Sequence, residues 1–117
     1  MMEEEKTLYD WAFVAGLEII KQFEKTYREP ERVEKRFETL MLNLRSEMIP
    51  ERFRRALMDI IVEVKPNVGI RQEIKVERPW KIEEFYRYSV AILAGLHDSL
   101  QKWKKEREKP KQGGGNA

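Results

Sequence analysis

The chain has 117 residues, a length that suits a single domain with one hydrophobic core. It contains no cysteine and one histidine, His97, which excludes disulfides and thiolate metal sites and leaves little imidazole chemistry. The net charge is +2, 38% of the residues are charged, no uncharged run is long enough to span a membrane, and the acidic start MMEEEK is unlike a signal peptide.

We therefore expect a cytoplasmic protein with no membrane contact. The heavy use of Glu, Lys, Arg and Ile is typical of hyperthermophile proteins, in which surface ion pairs lose less to desolvation as temperature rises.

The first predicted element is a helix over about residues 8–27. Thr7 is its expected N-cap, and Asp10, three residues later, would complete a capping box. The expected core face is Leu8, Ala12, Ala15, Ile19 and Phe23. The stretch WAFVAGL is apolar on all sides, which predicts a helix central in its own core or buried against another subunit. Its candidate interface residues are Trp11, Phe13 and Val14.

Two shorter helices are predicted next, over about residues 31–45 and 50–64. Pro30 separates the first from the helix before it, and Pro50 suits the first turn of the second, where its missing N–H costs nothing. The inward residues expected in the first are Val33, Phe37, Leu40, Met41 and Leu44. Those expected in the second are Phe53, Leu57, Ile60, Ile61 and Val64.

The period then changes to two, which predicts a half-buried strand over about residues 68–77. Two geometries fit this pattern: a short hairpin that turns over residues 71–73, or one edge strand that pairs outside the chain. Because an isolated ribbon is marginal in water, the segment needs its own helices or a partner. The candidate interface residues are Val68, Ile70, Ile74 and Val76, together with Trp80 at the junction with the next helix.

The last predicted helix covers about residues 81–108, and residues 109–117 form a basic, glycine-rich tail with no expected order. Its heptad-like seam is Ile82, Tyr86, Ser89, Leu93, Leu96, Leu100 and Trp103. Three further residues widen the stripe, so two neighbours are expected: Phe85, Tyr88 and Ile92. Gly95 would permit a close helix crossing. The predicted fold is therefore mainly α, a four-helix, bundle-like domain over residues 1–108 with a small β hairpin or edge strand.

No catalytic signature is present in the sequence. His97 and Asp98 are adjacent on a helix and point about 100° apart. The carboxylates lie among Lys and Arg, and neither a phosphate-binding loop nor a His/Cys metal spacing occurs. We therefore expect a non-catalytic protein without a cofactor, metal or small-molecule substrate.

Basic residues are concentrated in the second half, since residues 1–49 carry 8 Lys/Arg against 11 Asp/Glu and residues 50–117 carry 15 against 10. This excess predicts sequence-independent contacts with a nucleic-acid backbone, the alternative being an ion-paired, solvated surface. The candidate residues are Arg52, Arg54, Arg55, Arg71, Lys75, Arg78, Lys81, Arg87, Lys102, Lys104, Lys105 and Arg107. Trp80 is the aromatic residue best placed to stack on a base, whereas Tyr86 and Trp103 are expected in the core.

Four stretches, WAFVAGLEII, PERFRRALMDIIVEV, NVGIRQEIKVERPW and IEEFYRYSVAILAGL, follow an overall plan that resembles the small subunit of CRISPR surveillance complexes, particularly archaeal type I-A Cascade. The resemblance covers residues 7–108. It implies an antiviral role in which copies line a guide-RNA complex and contact backbone subunits and a DNA strand without catalysis. The alternatives are a coat or filament protein of a thermophilic virus and a plain protein–protein adaptor.

Overall fold

The computed structural model describes residues 3–46, 49–64 and 80–108. Nearly all of them lie in helices α1 (Glu3–Thr26), α2 (Pro30–Arg45), α3 (Pro50–Val64) and α4 (Ile82–Glu108). The mainly α fold is therefore confirmed for this part of the chain, which contains no strand. The predicted β insertion at 68–77, with Val68, Ile70, Ile74 and Val76, lies outside the described residues. So does the tail at 109–117, and both stay predictions.

Helix α1 begins five residues before the predicted start, so the prediction of Thr7 as N-cap is wrong. Thr7 lies inside the helix, and the Lys6 ammonium binds the Asp10 carboxylate at 2.9 Å, one turn away. An (i, i+4) ion pair of this kind stabilises a helical turn. Asp10 therefore supports the helix as an ion-pair partner of Lys6 instead of completing a capping box.

Prolines mark the starts of α2 and α3. Pro30 occupies the first turn of α2, and Glu29 before it is extended, with φ −79° and ψ 126° and no side-chain cap. Pro50 opens α3 as predicted. Because proline has no N–H and a φ close to the helical value, it starts a helix without leaving an orphan donor.

Helices α1 and α4 form the most extensive pair in the described structure. The Arg87 guanidinium lies 3.7 Å from the Glu5 carboxylate near their N-terminal ends. Near their C-terminal ends, Trp103 Nε1 donates to Glu24 Oε2 at 3.0 Å. Residue numbers rise together along both helices, so α1 and α4 run parallel.

Small residues set the close approach of α1 and α4. A Cβ atom placed on Gly95 would lie 2.5 Å from the Tyr9 carbonyl oxygen and 2.8 Å from the Ala12 Cβ. One turn further on, a Cβ on Gly16 would lie 2.8 Å from the Ser99 Cβ. The prediction that Gly95 permits a close crossing is confirmed, and Gly16 performs the same role on α1.

Helix α2 packs antiparallel to this pair, and α3 reverses direction once more. Lys104, late in α4, binds Glu34, early in α2, so these two helices are antiparallel. The short link between α2 and α3 forms an αα-hairpin. At the start of α3, the Phe53 ring centroid lies 6.1 Å from that of Trp80 and 5.7 Å from that of Phe85. Helix α3 therefore begins beside the start of α4 and points the same way.

The core confirms the predicted inward faces of the first two helices and most of that of the third. In α1 and α2, all ten predicted residues are buried, and in α3 so are Phe53 and Leu57. Ile60 is only partly buried. The side chains of Ile61 and Val64 lie outside the part of the chain that the structure describes.

In α4, the predicted seam is wrong at its N-terminal end. Ile82 and Tyr86 are exposed, whereas Phe85 and Tyr88 are buried. Tyr88 packs against the Trp80 ring at 5.3 Å and Phe85 against Phe53. The helix is rotated toward these aromatic neighbours because burying large rings removes more apolar area from water.

Candidate interaction surfaces

Of the three arginines at the start of α3, Arg54 does not face solvent. Its Nε and Nη2 atoms donate to the two carboxylate oxygens of Glu51 at 3.2 and 2.5 Å, and Nη1 lies 3.6 Å from the Met58 sulfur. Its side chain is 13% exposed. Hydrogen bonding to Arg54 lowers the pKa of Glu51. The Glu51 pair already occupies the Arg54 guanidinium, so Arg54 is less accessible to a phosphate than its neighbours, and its phosphate contact stays a prediction.

Arg52 and Arg55 have the opposite environment. Both are exposed, and neither makes an ion pair within the described ranges. They lie three residues apart, so they are neighbours on the outer face of α3. Arg45, which is exposed at the end of α2, adds a third positive charge at this end of the molecule. Arg52 and Arg55 therefore remain candidate phosphate-binding residues.

The basic cluster late in α4 is largely neutralised by acidic neighbours. Lys102 binds Glu106 at 2.7 Å, and Lys104 binds Glu34 of α2 at 3.0 Å. The hydrogen bond to Glu34 raises the pKa of Lys104 above its ordinary value of 10.5. These contacts favour the ion-paired surface, the alternative left open by the sequence.

The other two cations of this cluster are accessible. The Arg107 guanidinium lies 5.0 Å from the centre of the Trp103 ring, a cation–π contact at the surface. Lys105 is exposed and has no ion-pair partner in the described part of the chain. The cluster thus keeps part of its positive charge, on its outermost side chains.

At the start of α4, Lys81 is exposed, and its backbone N–H donates to Glu84 Oε1 at 2.9 Å. Arg87 pairs with Glu5 and lies 5.6 Å over the Tyr88 ring. Three further candidates lie outside the described residues: Arg71, Lys75 and Arg78.

The two accessible basic regions lie at opposite ends of the molecule. Phe53, next to Arg52, packs against Phe85, whereas the late α4 cluster is centred on Lys104. Lys104 follows Phe85 by 19 positions in α4, which correspond to roughly 28 Å of helix. A phosphate backbone that touched both regions would have to run along the length of α4.

Trp80, the residue expected to stack on a base, is only 7% exposed and packs against Phe53 and Tyr88. Its expected exposure is therefore wrong, and its contact with a base or a partner protein stays a prediction. Trp103 is buried, as expected. The exposed ring of this region is instead Tyr86, which the sequence placed in the core.

An apolar ridge on α4 is the main exposed feature that the sequence reading missed. It consists of Ile82, Tyr86, Val90 and Ala94, spaced four residues apart on one exposed face. Val90 is 67% exposed and Tyr86 61%. The sequence pattern could have predicted this ridge, because α4 carries two overlapping apolar stripes. Together they are wider than the face that one helix can bury.

Grooves flank this apolar ridge on both sides. The groove toward α1 has a volume of about 370 Å³, and its walls include Tyr9, Arg87 and Ala91. The groove toward α2 and α3 has a volume of about 320 Å³, and its walls include Leu44 and Leu93. Tyr86 and Val90 stand between the two grooves and line both.

The interface candidates of α1 are mostly turned inward. Trp11 packs against the core and its indole N–H is buried without a hydrogen-bond partner, while Phe13 is partly buried and stacks on Tyr9. Val14 is 45% exposed. Of the two roles predicted for this apolar helix, the described contacts favour the central one, with α4 as its main partner.

Groups that could perform chemistry are not assembled in the described ranges. His97 is exposed, and the Asp98 carboxylate accepts a short hydrogen bond from the Tyr9 hydroxyl. No three potential metal-ligating side chains cluster within the ranges that the structure covers. Within those same ranges, no helix has the length and apolarity needed to cross a membrane.

The site therefore consists of an apolar ridge with two flanking grooves and of two separated basic regions. Comparisons of this chain with protein-family models, with curated proteins and with solved structures found no match.

Proposed function

We propose that this protein is a non-catalytic helical subunit of a nucleoprotein complex. The observation that carries the proposal is the apolar ridge, because a contiguous exposed apolar patch on a small protein marks a surface that another molecule covers. Aromatic and aliphatic side chains such as Tyr86 and Val90 are typical of the centre of a protein interface. The ridge is the contact with neighbouring subunits.

The nucleic-acid contact of this proposal is made by Arg52 and Arg55. They are exposed cations without an ion-pair partner in the described ranges, at the start of α3. Arginine binds phosphate oxygens through a fork of N–H donors, and such contacts carry no sequence information. The complex would therefore bind a nucleic-acid backbone through this end of the chain, while other components read sequence.

A CRISPR effector complex is the narrower form of this proposal, and it rests on the resemblance of the four stretches named above. Two observations would separate it from its alternatives. Open-ended polymers of the isolated chain would favour a viral coat protein. CRISPR genes beside its own gene would favour the effector subunit.

Salt-dependent mobility shifts test the nucleic-acid contact. Binding to single- and double-stranded DNA and to RNA would be measured at about 50 and 200 mM salt for the wild-type chain and Arg52→Ala/Arg55→Ala. Each lost phosphate contact reduces the slope of log K against log salt by about 0.9, so the double variant should bind more weakly with a slope smaller by up to about 2.

The matched control is Lys25→Ala/Lys35→Ala, which removes the same charge from two exposed cations at the opposite end of the molecule. Wild-type slopes are expected for this control. If the slope of log K against log salt were the same in both double variants, Arg52 and Arg55 would not contact the nucleic acid. Absence of binding at the lower salt, even with assembled partners, would leave the adaptor as the function.

A further inference from the structure

We infer that the groove between α4 and the α2–α3 end binds one unpaired nucleotide, whose base stacks on the Tyr86 ring and whose phosphate lies against Arg45. This inference rests on the proposed function, because it states which form of nucleic acid the basic end of the molecule binds. It assigns Tyr86 to a base and leaves Val90 and Ala94, further along the ridge, to a neighbouring subunit.

The Tyr86 ring is the aromatic surface of this site. Its centroid lies 5.7 Å from that of the Phe85 ring, yet Tyr86 is 61% exposed. The ring is therefore held by a core residue while most of its surface stays accessible at the groove. An exposed aromatic ring can stack on a base of any sequence, because every base has a flat π face.

Charge distinguishes this groove from the groove toward α1. The groove toward α1 is lined by both Glu5 and Arg87, which pair at 3.7 Å. The groove toward α2 and α3 is lined by Arg45, and its described walls contain no carboxylate. Arg45 is exposed and makes no ion pair within the described part of the chain. Its guanidinium is therefore able to bind a phosphate oxygen.

The size of the groove favours a single nucleotide over a duplex. A volume of about 320 Å³ is at the lower end of sites that hold small molecules. A base in a duplex is stacked on its neighbours, so it can lie flat on Tyr86 only after it leaves the helix. Phe53 also lines the groove and adjoins the exposed Arg52. A strand whose base enters the groove would therefore carry its phosphates past Arg45 and Arg52.

Binding of labelled oligonucleotides to the full chain tests the stack. At about 50 mM salt, fluorescence anisotropy should show tighter binding of single-stranded DNA or RNA than of a duplex of the same length, and the two single strands show which sugar is preferred. Tyr86→Leu keeps an apolar side chain but removes the ring. It should weaken single-strand binding by about 5- to 100-fold, the loss of one base–aromatic stack, and leave duplex binding unchanged.

Three controls separate stacking from other effects. Tyr86→Phe retains the ring and should bind single strands as wild type does. Leu42→Ala removes an apolar side chain of α2 that is 63% exposed and lies outside the groove, and it should also match wild type. A fully abasic strand should bind wild type and Tyr86→Leu equally, because no base remains to stack.

Arg45→Ala tests the phosphate contact. Loss of one contact should reduce the slope of log K against log salt for single strands by about 0.7. Tyr86→Leu should leave this slope unchanged, because stacking releases no counterions. Arg28→Ala is the matched control, since Arg28 is an exposed arginine at the opposite end of the molecule, and its slope should equal that of wild type.

The outcomes distinguish this inference from the proposed function. If Tyr86→Leu binds single strands as wild type does while Arg52→Ala/Arg55→Ala loses affinity, the basic end contacts phosphates alone and the stacking site is overturned. Equal affinity of wild type for single strands and duplex also overturns it. If Tyr86→Leu changes only entry into a purified complex, the groove belongs to a protein partner. If no nucleic acid binds at the lower salt, the inference fails together with the nucleic-acid contact of the proposed function.

Discussion

Gly95 has no side chain, and this sets the distance between the first and last helices. The atoms that a Cβ would meet are mainly backbone atoms of α1, at the Tyr9 carbonyl and the Phe13 nitrogen. Backbone atoms of a packed helix cannot rotate away as a side chain can. The helical cost of glycine, about 1 kcal/mol relative to alanine, is offset here by the contact area that close approach allows.

We predict that Gly95→Ala destabilises the protein. Overpacking costs roughly 1–3 kcal/mol, from which the gain in helix propensity of about 1 kcal/mol must be subtracted. Urea unfolding measures the difference. Ala94→Gly, at the exposed neighbouring position, is the control and should cost only the propensity term. An equal or higher stability of Gly95→Ala would show that α1 and α4 can separate without loss.

Helix α3 is held to the rest of the described molecule by fewer contacts than α1 and α4 share with each other. Its main anchor is Phe53, which is buried between Trp80 and Phe85. Leu57 is the next buried residue along the helix. An element with few anchors opens at lower free energy than the rest of a fold.

We predict that Phe53→Ala lowers the free energy of unfolding by about 3–5 kcal/mol and makes α3 open more readily than the other helices. Hydrogen exchange should show faster exchange of α3 amides than of α1 or α4 amides in this variant. Ile49→Ala is the control, because Ile49 is half exposed and its truncation should stay within about 0.5 kcal/mol. Uniform acceleration across all four helices would show that α3 does not open separately.

The sequence predicts an element well when local features determine it, and poorly when contacts between residues far apart in the sequence determine it. The bounds of α3 and the core faces of α1 and α2 follow from prolines and from one clear apolar stripe. In α4, two apolar stripes both satisfied helical spacing, and neither pattern favoured burial of Phe85 over burial of Tyr86. The choice depends on the rings of Phe53 and Trp80, which are far apart in the sequence but lie 6.1 Å apart in the structure. The pairing of Arg54 with Glu51 could not be predicted for the same reason, because it depends on side-chain geometry.

At the scale of the whole molecule, three perturbed groups shape the stability against pH. The hydrogen bond to the Asp98 carboxylate raises the pKa of Tyr9 above 10.0, and the Glu34 carboxylate raises the pKa of Lys104 above 10.5. Both groups keep their protons more tightly when folded, so their stabilisation is complete below those values and is lost at higher pH. Arg54 lowers the pKa of Glu51 below 4.5, so that stabilisation is lost as acid protonates the folded carboxylate.

We predict that Tyr9→Phe makes the alkaline loss of stability less steep. Near neutral pH the free energy of unfolding of the variant should be lower by about 1 kcal/mol, because the hydrogen bond to Asp98 is lost. Its melting temperature should then fall less than that of wild type as pH rises through 10.0 and above, because no phenol remains to ionise beside Asp98. Parallel curves for the two proteins would show that Tyr9 does not titrate in this range.

The parallel pairing of α1 and α4 has a consequence for synthesis. The principal partner of the first helix is the last helix of the described chain, so the two meet only after α4 has been translated. The 77 residues from Thr26 to Trp103 take roughly 4–15 s to translate at the usual elongation rates. Through that interval Leu8, Ala12 and Ile19 lack the surface that buries them, so the core closes after the ribosome has finished α4. A nascent chain stalled before α4 would leave α1, the most apolar of the described helices, exposed to chaperones and to aggregation.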